Sequence, residues 1–251
     1  MTKLSVIVVT KNEAHNIKDC LRSVAFADEI IVFDSGSTDG TPDICRQFTD
    51  KVFITPDWPG DGPQKNRAIL KASGEWILCL DADERVSQEL AEEIQKSIIL
   101  TPYSAFNIPY QSTYCGKAIR FGDWRGESHI RLFLRTQAKF TEDIVHCHLQ
   151  IDGNVGELEN IIIHHPFHHL GAMIHKMNDY SNQSAKALFA KGKKSSLTKA
   201  LSRSLWSFLR GYILKLGFLD GREGFLLAVS NAQGTYYRYL KLMYLTEQGQ
   251  H

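Results

Sequence analysis

Trp76-Ile77-Leu78-Cys79-Leu80, followed at once by Asp81-Ala82-Asp83-Glu84, decides how the rest of this chain is read. Five apolar residues in a row, without alternation, are the pattern of a strand covered on both faces, as in parallel sheets. Two carboxylates one residue apart at the end of such a strand are of the kind that hold Mg²⁺ or Mn²⁺ between protein and phosphate oxygens, which points to a nucleotide-linked substrate. Asp-x-Asp alone recurs by chance in solvated turns, so its neighbours decide.

Working outward, residues 4–9 form another continuous β-branched run that ends at Thr10, Lys11, Asn12 and Glu13, and a helix follows through Ile17, Leu21 and Val24. Residues 30–33 are a third buried run, ending at Asp34 and a polar loop over 35–41, with Pro42 suited to the first turn of the next helix. A short strand at 52–54 and a helix over 64–72, stopped by Gly74, complete the alternation. The pattern predicts an α/β fold: an open, Rossmann-like, mostly parallel sheet with helices on both faces and ligands at the carboxyl ends of its strands. Thr10 to Glu13, Asp34 to Thr41 and Asp81 to Asp83 all fall at those ends, so three polar segments converge on one crevice.

From Ser104 the texture changes to shorter strands at 105–110, 131–135, 145–151 and 161–164, and after Pro166 to helices around 169–191, 197–216 and 222–245. The expected organisation is a catalytic domain over 1–165, with a nucleotide-binding half (1–103) and an acceptor half (104–165), then a helical, basic, amphipathic region over 166–251. At 251 residues, 43% hydrophobic and 23% charged, the chain can bury a sizeable core. A net charge of +1 implies no general attraction to nucleic acid, and no nucleic-acid module is recognisable. Five scattered cysteines, never in a C-x-x-C pair, suggest neither a disulfide framework nor a zinc knuckle and fit a reducing cytoplasm. No signal-peptide pattern precedes Leu4, so export by that route is not expected.

The first strand end carries no glycine, which excludes the dinucleotide G-x-G-x-x-G and the Walker loop. Thr10, Asn12 and Glu13 are instead placed to meet a base or ribose, and Asp34 to accept from a pyrimidine N–H or a sugar hydroxyl. The plain alternatives are a helix cap for Asn12 and a turn residue for Asp34. Gln64, Lys65 and Arg67 open a helix beside the crevice, where a cation would meet donor phosphates. Arg131 and Arg135 share one strand face and suit anionic groups. The cluster His164, His165, His168, His169 has zinc-like i, i+4 spacing, but Pro166 argues against the regular helix it needs.

Taken together, Thr10-Lys11-Asn12-Glu13, the Asp34 to Thr41 loop and Asp81-Ala82-Asp83-Glu84 resemble the three signature segments of glycosyltransferase family 2, whose members are inverting, have the GT-A fold and use nucleotide-sugar donors. The likeness implies that Glu13 and Asp34 bind the nucleoside, that Asp81 neighbours ribose or phosphate, and that Asp83 binds Mg²⁺ or Mn²⁺. Asp57-Trp58, Gln64-Lys65, Trp124, Arg131-Leu132-Phe133, Val145-His146 and Gly217 to Gly221 are similar to the WaaE/KdtX branch, lipopolysaccharide core glucosyltransferases of Gram-negative bacteria. That implies a UDP-sugar donor, a lipid-anchored saccharide acceptor and peripheral contact with the inner membrane from the cytoplasmic side, with a homo-oligomer left open. On this likeness Glu127 is the leading candidate for the base, with Asp143 the second; His146 is a candidate to supplement the metal or to contact diphosphate, with a structural histidine of an apolar strand as the alternative. One departure stands out: where relatives read Val-His-Glu, this chain has Val145, His146 and Cys147. A nucleotidyltransferase, or a nucleotide-sugar-binding protein without a base, are the alternatives in other functional classes. The basic, acid-free stretch between Asp179 and Asp220 carries Leu197, Leu201, Leu205 and Trp206, a pattern suited either to an anionic membrane interface or to packing on the core.

Overall fold

The structure, a computed structural model, describes residues 3–99, 101–142 and 147–248. In chain order the first elements are β1 (Leu4–Thr10), α1 (Ile17–Ser23), β2 (Glu29–Asp34), α2 (Thr41–Cys45), β3 (Val52–Ile54), α3 (Asp61–Lys71), β4 (Trp76–Asp81), β5 (Glu84–Val86) and α4 (Gln88–Ser97). There follow β6 (Ala105–Tyr114), β7 (Lys117–Ala118), β8 (Ser128–Leu134), β9 (Ala138–Phe140), β10 (Leu149–Ile151), β11 (Val155–Glu157), β12 (Ile162–His164), α5 (Leu170–Ala190), α6 (Leu197–Leu209) and α7 (Gly221–Gln248).

The main sheet runs β3-β2-β1-β4-β8-β6-β12-β5. β1, β2, β3 and β4 are mutually parallel, while β8 is antiparallel to both β4 and β6. Every residue of β1 is buried, as its unbroken apolar run requires. One core layer packs Val6, Val8, Leu78 and Leu80 against Ile17, Leu21, Leu90 and Ile94, and the opposite layer packs Ile7, Ile31, Ile77 and Phe133 against Ala68 and Ile69. The sheet is therefore covered on both sides, and its central strand ends are left to carry polar groups.

The start of β2 is fixed by Glu29, whose carboxylate takes hydrogen bonds from Ser5, Lys51 and the backbone N–H of Ser73. Burial works against its charge, but these donors outweigh it and pull the carboxyl from 4.5 to about 2. A depressed acid contributes stability that is full above its unfolded value and is lost as pH falls through 4.5 toward 2. Glu29→Gln should therefore lower the unfolding free energy at neutral pH by about 2 kcal/mol in urea titrations, and the gap to wild type should close as the titrations are repeated toward pH 3.

The chain divides into two compact units, residues 1–110 with 126–164, and residues 111–125 with 165–251. The first unit covers most of residues 1–165 and the second all of 166–251, and residues 111–125 group with the second. Within that second unit Tyr114 and Ile119 pack with Phe167, Met173 and Leu227, and Asp220 accepts hydrogen bonds from the N–H groups of Arg120 (3.0 Å) and Phe121 (2.8 Å). The helix expected over 197–216 is α6 followed by a π-helical turn, Arg210–Leu214, which ends at Leu216 in the left-handed region (φ 59°). β5, β7, β9, β11 and α4 have no counterpart in the strands and helices expected from sequence.

Candidate active site

The parallel register sets Thr10 opposite Asp34 and Val9 opposite Asp81, so the three polar segments meet at one edge of the sheet. Asn12, in the left-handed region (φ 55°) that asparagine tolerates, joins two loops: its N–H donates to the Ser37 hydroxyl (2.7 Å) and its side-chain oxygen accepts the N–H of Thr38 (2.8 Å). The Glu13 N–H donates to the Thr41 hydroxyl (2.9 Å), and its carboxylate accepts from the Asn16 side chain at the head of α1 (2.8 Å). Asp34 is fully buried, and its carboxylate accepts the N–H groups of Gly36 (3.0 Å) and Ser37 (2.8 Å) and the Ser37 hydroxyl (2.5 Å). Its contacts describe the loop-folding alternative. Among the described residues the Thr10 hydroxyl oxygen is buried without a hydrogen-bond partner, a polar atom of the kind that a ligand group commonly satisfies.

Beside these loops lies an ionic network. Asp81 accepts from Lys65 (3.2 Å) on one oxygen and from Arg131 (2.7 Å) on the other, and the Lys65 ammonium also pairs with Asp61 (2.9 Å). Arg131 bonds Glu84 and the Tyr110 hydroxyl as well, both at 2.5 Å, while Glu84 accepts the Tyr110 hydroxyl (2.8 Å) and the Asp81 N–H (3.0 Å). Burial opposes charge on Asp81, but Lys65 and Arg131 hold its carboxyl well below the usual range. Burial alone would discharge Lys65, yet Asp81 and Asp61 keep it firmly protonated. Glu84 is nearly sealed from solvent, and burial raises its carboxyl. The network fixes the end of β4 from three directions, through α3, β8 and β6.

A third group gathers around the Tyr110 ring. Asp83, just past β4, lies 3.4 Å from the His164 imidazole at the end of β12, where the antiparallel pairing sets His164 opposite Glu84. The His164 and His129 rings meet Tyr110 edge-on at 6.1 and 5.0 Å, and His129 reaches the Glu127 carboxylate at 3.1 Å. The hydrogen bond from His129, aided by the nearby charges of His164 and Arg131, lowers the Glu127 carboxyl.

A cavity of about 300 Å³, lined by Asp61, Lys65, Asp81, His129, Arg131 and Cys147 among others, adjoins the network. The Cys147 thiol donates to Asp61 (3.1 Å), and burial together with that carboxylate raises it to about 11, so it stays neutral at pH 7. A Cβ on Gly62 would meet the Thr141 carbonyl oxygen at 2.1 Å and the Cys147 Cβ at 2.9 Å. Only glycine permits this approach, which sets Asp61 against the thiol. A carboxylate therefore stands beside position 147 although residue 147 itself is not acidic.

Lys65, Asp81 and Arg131 meet in one network, whereas two other expected cations point elsewhere. Arg135 donates to the Gly74 carbonyl (2.9 Å) because β8 ends at Leu134, and Arg67 forms a two-pronged pair with Asp57 (2.7 and 3.0 Å). Asp143 and His146 lie outside the described residues. The histidine cluster is divided by Pro166: His164 ends a strand, and His169 caps α5 by accepting the Ala172 N–H (3.2 Å). Asp61, Glu84, Tyr110 and His129 are not among the candidates named from sequence, and His164 is named only as part of the histidine cluster. Glu84 had a signal in following the Asp-x-Asp triplet directly, and Asp61 in standing four residues before Lys65 on α3; Tyr110, His129 and His164 arrive through strand pairing that spacing does not display.

Residues 5–151 match the family model described as glycosyl transferase family 2. Among curated relatives, an uncharacterized glycosyltransferase of Rickettsia typhi is 32% identical over 98% of this chain and 88% of its own length. The lipopolysaccharide core biosynthesis glycosyltransferase LpsC of Rhizobium meliloti is 26% identical over 91% of this chain and 87% of its own. Among solved structures, S. aureus TarS 1-349 in complex with UDP superposes with a TM-score of 0.51 at 16% identity, covering 99% of this chain and 92% of that one. The likeness is one of fold: a GT-A mixed sheet with a C-terminal helical extension.

Proposed function

The chain belongs to glycosyl transferase family 2, and on that premise we propose that it transfers a hexose with inversion, glucose from UDP-glucose, to a heptose of a lipid-anchored lipopolysaccharide inner core at the cytoplasmic face of the inner membrane. The observation that carries the reading is the pair of acid–histidine couples, Asp83 with His164 and Glu127 with His129, flanking one tyrosine at the strand ends. The lipopolysaccharide acceptor is supported by the likeness to LpsC, and glucose and heptose by resemblance to the glucosyltransferase branch.

Asp83 and His164 offer one hard oxygen and one imidazole nitrogen, a donor set that suits Mn²⁺ or Mg²⁺ when diphosphate oxygens and water complete the shell. Among the described residues no three acidic, histidine or cysteine side chains converge to hold an ion by protein alone, which fits an ion shared with the donor. Bound there, it would neutralise charge on the departing diphosphate. Asp81, held by Lys65 and Arg131, stays ionised and fixed beside the donor. The acceptor hydroxyl oxygen attacks the anomeric carbon as the bond to diphosphate breaks, and the hydroxyl proton passes to Glu127. His129 orients that carboxylate and keeps it ionised.

Glu127→Gln keeps the shape and removes the proton acceptor, so transfer should fall roughly 10²- to 10⁴-fold with donor binding little changed. Because the Glu127 carboxyl is lowered, the acid limb of kcat/KM in wild type should lie below the ordinary glutamate range, and the variant should lack it. Equal rates in the two proteins would assign the base elsewhere, with Asp61 the next carboxylate to test. Wild-type protein that neither transfers nor hydrolyses any sugar nucleotide with Mn²⁺ would overturn the enzymatic reading.

A further inference from the structure

We infer that the outer face of α6 is a docking surface for an anionic lipid bilayer. The helix is built inside out for a water-facing element. It turns small residues toward α7: Ala200 (0% exposed) and Ser207 (6%) are buried, and the Ser204 hydroxyl donates to the Ala232 carbonyl at 2.9 Å. Its large apolar side chains point the other way, with Leu197, Leu201, Leu205 and Trp206 each 50% to 61% exposed. At about 100° per residue the three leucines step along one flank, and Lys199, Arg203 and Arg210 occupy the other. Ile213 and Leu214 extend the exposed apolar surface into the π-helical turn.

Charge selects the occupant. No carboxylate occurs between Asp179 and Asp220, and eight lysines and arginines do. Among the described residues the Asp123 side chain pairs with Arg210 and Lys215 and tempers that field from outside the segment. A second copy of this chain meeting the surface about a two-fold axis would set cations against cations. A bilayer with anionic headgroups offers the complement to both features, taking leucine and tryptophan at the acyl boundary and lysine and arginine at the phosphates. Among the described residues no helix is long and apolar enough to cross a membrane, so the contact is interfacial. The inference rests on the proposed function for its purpose, since a lipid-anchored acceptor lies at the same interface.

The test is co-sedimentation of the full chain with vesicles of phosphatidylcholine alone and of phosphatidylcholine mixed with phosphatidylglycerol. Binding should be roughly tenfold or more stronger to the anionic vesicles and should weaken with added salt. Leu201→Asp with Leu205→Asp, and separately Lys193→Glu with Lys194→Glu, should each lower it about tenfold at an unchanged melting temperature. A blue shift of fluorescence on adding vesicles, lost in Trp206→Phe, would place that side chain in the interface. No binding, or equal binding to both vesicle types, overturns the inference. So does a dimer in light scattering that the leucine pair disrupts, which would make a second copy the occupant. UDP-glucose turnover measured on the same preparations separates the two readings: turnover without vesicle binding refutes this surface and leaves the transferase standing, and vesicle binding without turnover does the reverse.

Discussion

Asp83→Asn should reduce sugar transfer roughly 10³-fold or more, which corresponds to about 4 kcal/mol of lost transition-state stabilisation. The substitution keeps the volume and the approach to His164 and removes the negative charge that a hard cation selects. A second readout does not depend on turnover. UDP that binds only the folded protein raises its stability by RT ln(1 + [L]/Kd), about 2.7 kcal/mol at a hundredfold excess over Kd. In wild type that gain should grow when Mn²⁺ accompanies UDP, and in Asp83→Asn the Mn²⁺-dependent part should vanish while the UDP part remains. His164→Ala should show the same loss in weaker form, since one carboxylate ligand would be left. A metal-dependent melting shift that survives both substitutions would move the ion elsewhere and with it the leaving-group chemistry assigned to this corner.

The two halves of the site differ in how far the sequence discloses them, and the reason is topological. β1, β2 and β4 are parallel and buried on both faces, so each reads as an unbroken apolar run whose end marks a ligand-facing loop. Asp34, Asp81 and Asp83 could be placed from that rule alone. β5 is Glu84-Arg85-Val86, three residues with two charges, and carries no apolar signature; only its antiparallel pairing with β12 brings His164 to Asp83. Tyr110 and Glu127 are likewise joined by strand pairing, the N–H of one donating to the carbonyl of the other at 2.8 Å. Register between distant antiparallel strands is set by packing and not by residue spacing, so the grouping of Asp83, His164, Tyr110, His129 and Glu127 had to await the structure. Segment 111–125 groups away from its sequence neighbours for a related reason: its strand-like texture resembles theirs, while its partners, Phe167, Glu223 and Asp220, all lie in the C-terminal helical region.

Cys147 shows how a departure from a family pattern is read differently with coordinates. From sequence it is a missing glutamate. In the structure the thiol is a neutral donor to Asp61, and Asp61 is held there by the start of α3, whose close approach to Thr141 and Cys147 only Gly62 permits. A carboxylate thus faces position 147 from α3, and Lys65 pairs with it there.

Arg131→Ala should be the most destabilising single change at the site, by about 3–5 kcal/mol, because it leaves the sealed Glu84 carboxylate without its cation. Arg131→Lys should cost less, about 1–2 kcal/mol: a single ammonium cannot serve Asp81, Glu84 and the Tyr110 hydroxyl at once as the guanidinium fork does. Urea midpoints at constant m-value would measure both. The pH dependence identifies the cause. Burial already raises the Glu84 carboxyl in wild type, and without Arg131 it rises further above its unfolded value. A raised acid takes up a proton on folding, so its penalty is greatest at high pH and is relieved as pH falls through the folded-state value. The gap between Arg131→Ala and wild type should therefore narrow on acidification, opposite in origin to the Glu29→Gln case, where the narrowing comes from loss of stability in wild type. Adding Glu84→Gln to Arg131→Ala should recover part of the stability, since a neutral amide replaces the unpaired charge. If the double variant is no more stable than Arg131→Ala at any pH, the buried charge is not what Arg131 compensates, and its packing against the Tyr110 ring, 5.8 Å away, carries the effect instead.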